Sequence, residues 1–194
     1  MNKELTEVIF ILDRSGSMSG LEMDTIGGYN GFLEKQKKQA GKTIITTVLF
    51  DDQYEVLYNG VDVDEAALTT DQYFVRGSTA LLDAVGKTML DVKARLARTP
   101  AKERPGKVIM VITTDGYENA SREFSGKQIH DMIIRQQQHG WEFLFFGANI
   151  DTVATAKSMG IKEADAMSYE STAQGMSIMM NEMSLRVDEK RRKN

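Results

Sequence analysis

Val8-Ile9-Phe10-Ile11-Leu12-Asp13-Arg14-Ser15-Gly16-Ser17 joins a short, continuous apolar run to a polar loop. A strand buried on both faces of a sheet reads this way. In open α/β sheets, ligands bind at the loops that leave the C-terminal ends of strands. This loop carries one carboxylate, Asp13, and two hydroxyls, Ser15 and Ser17, at alternate positions. All three are oxygen donors that suit a hard divalent cation. Gly16 permits a turn sharp enough for both hydroxyls to face inward. Asp and Ser after a strand also serve as helix caps and turn formers without any metal. Taken alone, the stretch leaves both readings open.

Two further segments shift that balance. Arg76-Gly77-Ser78-Thr79-Ala80-Leu81-Leu82-Asp83-Ala84 places a threonine in a loop ahead of a helical pattern, and Val108-Ile109-Met110-Val111-Ile112-Thr113-Thr114-Asp115-Gly116 is a second apolar run ending in an aspartate. Asp13-x-Ser15-x-Ser17, Thr79 and Asp115 together resemble the metal-ion-dependent adhesion site of von Willebrand factor type A domains. The resemblance covers residues 5–187 and implies a three-layer α/β/α, Rossmann-like open sheet, mostly parallel with one antiparallel edge strand. Carried over position by position, it makes Ser15, Ser17 and Thr79 direct ligands of Mg2+, with Mn2+ or Ca2+ also admissible. Asp13 and Asp115 would act through water, oriented by the hydrogen bonds they make. Neutral hydroxyls leave much of the ion's charge uncompensated, and opposed unit charges about 4 Å apart are worth about 4 kcal/mol at an effective dielectric near 20. The implied partner is therefore a protein that offers an Asp or Glu carboxylate to an open coordination position.

Composition sets the bounds. The chain has 194 residues, 41% hydrophobic and 27% charged, with a net charge of −4, which is the profile of one ordinary globular domain. We expect a single domain over residues 1–194, its core at 5–187 and a basic tail at 188–194. The mild negative charge argues against general nucleic-acid binding. No cysteine is present, which rules out disulfides and thiolate metal sites within this sequence and is compatible with a reducing cytoplasm. The first apolar run is short and ends in Asp13, unlike a signal peptide, and no segment approaches the roughly 18 apolar residues of a membrane helix. The expectation is a soluble cytoplasmic protein without membrane contact.

Strand and helix patterns alternate without a linker or internal repeat, as in a parallel sheet covered on both faces. Strands are predicted at residues 4–12, 43–50, 54–58 (antiparallel, after the turn Asp51-Asp52), 107–113, 141–146 and 165–169. Helices are predicted at 21–39, 80–98, 125–139, 152–159 and 171–189, with a short one at 64–68. Ser78 or Thr79 is expected to cap the second of these. Gly27, Gly28 and Gly31 weaken the first and are read either as close packing against the metal loop or as a frayed start. The closing helix sets Ala173, Met176, Met180, Met183 and Val187 on one face, read as a core stripe rather than an adaptable interaction surface.

Other polar residues draw structural readings. The Asp51-Asp52 pair is explained by the turn and Asp83 by bracing a loop against its helix; Glu118 and Asn119 lie near the same edge and are read as a solvated loop in preference to residues that modulate the site. His130 and His139 lie on a helix remote from the motif. Lys190-Arg191-Arg192-Lys193 reads as a solvated helix end.

Catalysis is not expected. A phosphoryl-transfer enzyme of haloacid-dehalogenase type needs a second Asp two residues after the first, where this chain has Ser15. Gly41-Lys42-Thr43 and Gly86-Lys87-Thr88 lack the earlier glycine of a phosphate-binding loop, at Gln36 and Leu81. No G-x-S-x-G and no nearby histidine accompany Ser15 or Ser17. A scaffold whose metal only stiffens the loops is the remaining alternative.

Overall fold

A computed structural model describes residues 1–192. The chain runs β1 (Asn2–Asp13), α1 (Glu22–Gln36), β2 (Lys42–Phe50), β3 (Tyr54–Asp62), α2 (Leu81–Arg98), β4 (Pro105–Thr114), α3 (Gly126–Gln138), β5 (Trp141–Gly147), α4 (Thr152–Ser158), β6 (Ala166–Ser168) and α5 (Ala173–Arg192). Six strands form one sheet in the order β3-β2-β1-β4-β5-β6, with β3 alone antiparallel to its neighbour. Helices cover both faces, which gives the expected three-layer α/β/α architecture.

The alternation of β1 explains why its whole apolar run is buried. Val8, Phe10 and Leu12 pack into the core beneath α1 and α5, and Ile9 and Ile11 into the core beneath α2 and α3. Successive side chains of a strand point to opposite faces, so a strand covered on both sides has no polar side to show. β4 and β5 divide in the same way, with Ile109, Val111, Leu144 and Phe146 on the first face and Met110, Ile112, Phe143 and Phe145 on the second.

Strand order reverses between β1 and β4. The chain leaves β1 toward β2 on one side and leaves β4 toward β5 on the other. Their diverging connections open a crevice at the shared C-terminal edge, the position where such sheets bind ligands. Asp13 ends β1, and Asp115 directly follows β4.

Several local expectations need correction. α1 ends at Gln36 rather than residue 39, and the helix expected at 64–68 is a single 3-10 turn, Val63–Glu65. Gly28 packs against α5 rather than a metal loop, since a Cβ there would lie 2.4 Å from Met180 Cγ, while Gly27 and Gly31 face open space. Met176, Met180, Met183 and Val187 form the core stripe of α5, but Ala173 is exposed. The basic end of α5 is not a solvated tail. Lys190 is only 7% exposed and bridges Glu142 and Asp165 at 2.8 Å each. Arg191 donates to Gln36, Thr43 and the Ala40 carbonyl. Charge periodicity alone could not show that these residues reach back to β2, β5 and the β6 approach. Lys193 lies outside the described residues. No helix among the described residues is long and apolar enough to cross a membrane.

Candidate metal centre

Asp13 is buried at the end of β1, and each of its oxygens has a defined task. Oδ1 accepts the Ser15 backbone N–H at 2.7 Å, which turns the loop back over the strand end. Oδ2 accepts the Thr114 hydroxyl at 2.7 Å and the Asp115 N–H at 3.2 Å, tying the β1 loop to the end of β4. Burial pushes the Asp13 carboxyl above its ordinary value, against the hydrogen bonds from Ser15, Thr114 and Asp115 that lower it. Tyr73 donates to the Asp13 carbonyl at 2.6 Å, and burial holds its phenol protonated for that role.

The turn that follows brings three hydroxyls together. Ser15 Oγ lies 3.2 Å from Ser17 Oγ, and Thr79 Oγ1 donates to Ser15 Oγ at 3.0 Å. Gly16 supports the crossing of the two loops by donating its N–H to the Gly77 carbonyl at 3.1 Å. Gly77 itself has φ +65°, where other side chains are strained, and a Cβ there would fall 2.0 Å from Asp52 Oδ1 and have to displace that carboxylate. Gly116 looks into the same cluster: a Cβ on it would stand 3.4 Å from Ser17 Oγ and 3.6 Å from Thr79 Oγ1. Adjacent oxygens of an octahedral magnesium shell, with bonds of about 2.0–2.1 Å, stand about 2.9–3.0 Å apart. The Ser15–Ser17 and Ser15–Thr79 separations are close to that edge length.

Thr79 is 4% exposed and is held from behind. Its N–H donates to Asn119 Oδ1 at 2.9 Å, and its carbonyl accepts from the N–H groups of Asn119 and Ala120. Neither Ser78 nor Thr79 caps α2, whose N-cap is Ala80 without a side-chain bond. Glu118 takes that task by accepting the Leu82 N–H at 2.9 Å, and Ser121 Oγ accepts that of Asp83. Glu118 and Asn119 are therefore not members of a merely solvated loop; they fix the threonine from the adjoining β4–α3 connection. Asp83 braces as expected, accepting the N–H groups of Arg122, Glu123 and Phe124.

Asp115 is fully buried, and its carboxylate oxygens accept from Asn149 Nδ2 and Ser171 Oγ. These partners were not identified from sequence. Asn149 follows β5 with φ 55°, and Ser171 lies just ahead of α5. Neither carries a local motif; only their place at the same sheet edge brings them to Asp115. Asp51, read as a turn residue, does make the turn by accepting the Gln53 N–H at 2.6 Å, but it is also 0% exposed and paired with Arg14 and Arg76. His130 and His139 remain on α3 and at its C-cap, away from this edge. Among the described residues, no three His, Cys, Asp or Glu side chains gather as a metal cluster. The donor set is instead three hydroxyls bonded to one another, with Asp13 bonded to the backbone N–H groups of Ser15 and Asp115.

Neither a protein-family model nor a protein of curated function matches the sequence. Solved structures do match. The von Willebrand factor domain of the type V pili tip protein Mfa5 from Porphyromonas gingivalis superposes with a TM-score of 0.70 at 11% identity, over 97% of each chain. The fold is that of a von Willebrand factor A domain. Proximal thread matrix protein 1 from the mussel byssus, solved with a zinc-occupied metal-ion-dependent adhesion site, matches at a TM-score of 0.60 and 14% identity, over 94% of this chain and 46% of that one. Manganese-loaded TRAP protein of Plasmodium vivax matches at 0.55 and 16%, over 76% and 59%. The present chain thus spans about half the length of the byssus protein. At these identities the likeness establishes the architecture of the A domain and leaves the site to be judged on its own residues.

Proposed function

We propose that this domain binds a protein partner through a divalent cation held by Ser15, Ser17 and Thr79, with Asp13 and Asp115 in the surrounding shell. Magnesium is the proposed ion, with manganese and calcium as substitutes. The observation that carries this reading is the set of three hydroxyls spaced 3.0 and 3.2 Å apart at the strand switch point. The donor chemistry fits: oxygen atoms alone, the Asp13 carboxylate bonded to the Ser15 and Asp115 amides, and at position 116 a glycine that puts no side chain against Ser17 Oγ and Thr79 Oγ1. When bound, the ion would supply an electrophilic vertex for a carboxylate oxygen of the partner. This chain's residues do the rest. Asp13 orients the Ser15 amide and the end of β4, Asn119 holds the Thr79 backbone, and Asn149 and Ser171 hold the Asp115 carboxylate.

That the similar structures include a metal-bearing adhesion-type site and a pilus-tip domain supports protein binding as the role. Being a byssus protein and a pilus protein, these neighbours lend no support to the cytoplasmic setting expected from the missing cysteines. The phosphoryl-transfer alternative has no observation in its favour, since Ser15 stands where the second Asp is needed and its hydroxyl is shared with Ser17 and Thr79.

Thermal melting with and without magnesium tests the metal. A hundredfold excess over Kd should add about 2.7 kcal/mol of stability and raise the midpoint by roughly 5–10 °C. Thr79→Ala should abolish the rise. An unchanged midpoint for the wild-type protein across the magnesium range defeats the proposal. Capture of partners from native lysate with and without EDTA then separates recognition from scaffolding: identical captures in both conditions would show that the ion plays no part in binding.

A further inference from the structure

Resting on the metal site proposed above, we infer that Asp51 and Arg76 are positioning residues that set metal affinity without touching the ion. Asp51 Oδ2 accepts Arg14 Nε at 3.0 Å and Arg76 Nε at 2.6 Å, so two arginines from different loops are referenced to one oxygen atom. Arg14 immediately precedes Ser15, and Arg76 lies three residues before Thr79. Each arginine therefore controls one of the two loops whose hydroxyls meet.

Backbone bonds pass through the same node. Arg14 N–H donates to the Phe50 carbonyl at 2.8 Å, Arg76 N–H to the Arg14 carbonyl at 2.9 Å, and Ala80 N–H to the Asp51 carbonyl at 2.9 Å. The end of β2 thus serves as a template on which both hydroxyl loops are laid. Asp51 cannot be a ligand as it stands, because Oδ2 is shared by two guanidinium groups and Oδ1 accepts the Gln53 N–H. Arg14 also donates to Glu55 at 2.7 Å, and its guanidinium carbon lies 5.4 Å from the Phe74 ring centroid, with Arg76 on the same ring at 5.3 Å. Two cations and two anions gather beside one aromatic ring, with Arg14 Nη2 left as a buried atom without a hydrogen-bond partner.

The physical reason for coupling is geometric. Magnesium demands near-ideal octahedral angles and tolerates displaced ligands poorly, and residues that orient ligands typically carry about 10–100-fold of metal affinity. The Ser15–Thr79 separation spans two loops joined by two backbone bonds, Arg76 N–H to Arg14 and Gly16 N–H to Gly77, and the Asp51 node adds the side-chain tie that fixes how far they can shift.

The test uses Arg76→Ala, because Arg76 is 39% exposed and its loss leaves the buried Arg14–Asp51 pair intact. Wild type, Arg76→Ala and Lys87→Ala are titrated with Mn2+ by calorimetry and melted in EDTA. Lys87 is a matched control: it lies on α2, pairs with Glu123 at 2.7 Å and removes the same charge. Arg76→Ala should weaken Mn2+ binding about tenfold, with a metal-free midpoint within about 3 °C of wild type, and Lys87→Ala should leave the affinity unchanged. Equal affinities for Arg76→Ala and wild type overturn the inference alone. So does an equal loss in both variants, which would mean charge rather than position, or a large fall of the Arg76→Ala midpoint in EDTA, which would mean general loosening. Failure of wild type to bind Mn2+ overturns the metal site and this inference with it.

Discussion

At the C-terminal ends of β1 and β2, the Asp51 carboxylate accepts from two arginines and a backbone amide. Midway along β1, the equally buried Glu7 uses one oxygen for Arg95 and Thr46 and leaves Oε2 without a partner. Both clusters pair a buried acid with arginine, yet they join different things. Asp51 joins loops that no strand ladder pairs and that otherwise share two backbone bonds, Arg76 N–H to the Arg14 carbonyl and Gly16 N–H to the Gly77 carbonyl. Glu7 joins α2 to strands already held by the sheet ladder and two hydrophobic layers, and Arg95 adds bonds to Asn59 on β3 and Thr46 on β2. Charge pairs inside a protein cost desolvation and give weak net stability. They are informative where they specify geometry, and the contrast suggests that the Asp51 cluster does so and the Glu7 cluster does not.

The sharpest way to break that comparison is to remove each acid. Asp51→Ala takes from Arg14, which is 0% exposed, its buried carboxylate partner and leaves it only Glu55; it should cost about 3–5 kcal/mol in denaturant unfolding measured with EDTA present. If Asp51→Ala is no more damaging than Glu7→Ala, whose Arg95 partner is 22% exposed and can turn to water, the two clusters are equivalent after all. A smaller effect comes from pH. Burial raises the Glu7 carboxyl above its ordinary value of 4.5, against Arg95 and Thr46, which lower it. The folded state then holds a proton that the unfolded chain has already released, so this group's contribution falls as pH rises from 4.5 to the raised value. Glu7→Gln lacks that fall. Its stability relative to wild type should grow across the window and then level off, with Mn2+ affinity unmoved. A wild-type-minus-variant difference that is flat with pH would refute the assignment. The smallest change calibrates the rest: Gly27→Ala places its Cβ in open space on α1 and should stabilise by about 0.5–1 kcal/mol without altering metal affinity.

Much of the architecture was legible because it is written in short-range periodicity. The runs at 8–12 and 108–112 are apolar on every side, and a strand covered on both faces has no other pattern. The stripes of α2 and α3 announced themselves by helical spacing, and Ser125 with Gln128 forms the capping box that starts α3. Asp13, Ser15 and Ser17 were legible because they share one loop and their spacing is local. The errors have one cause. Asp51, Glu118 and Asn119 each have a sufficient local explanation, and their partners lie 25 to 40 residues away. Ser171 reaches Asp115 across 56 residues and leaves no trace in either neighbourhood.

From the residue pattern alone followed the parallel sheet, the strand ends that carry oxygen donors and the absence of any thiol or histidine chemistry beside them. Folding decided which loops meet. Hydroxyls on two loops distant in sequence come within 3.0 Å where backbone bonds cross between those loops and Arg14 and Arg76 share Asp51 at the end of β2. Periodicity records which face of an element avoids water, a property of neighbours in the chain. Convergence depends on where distant loops end once the core is packed, and no stretch of sequence holds that information by itself.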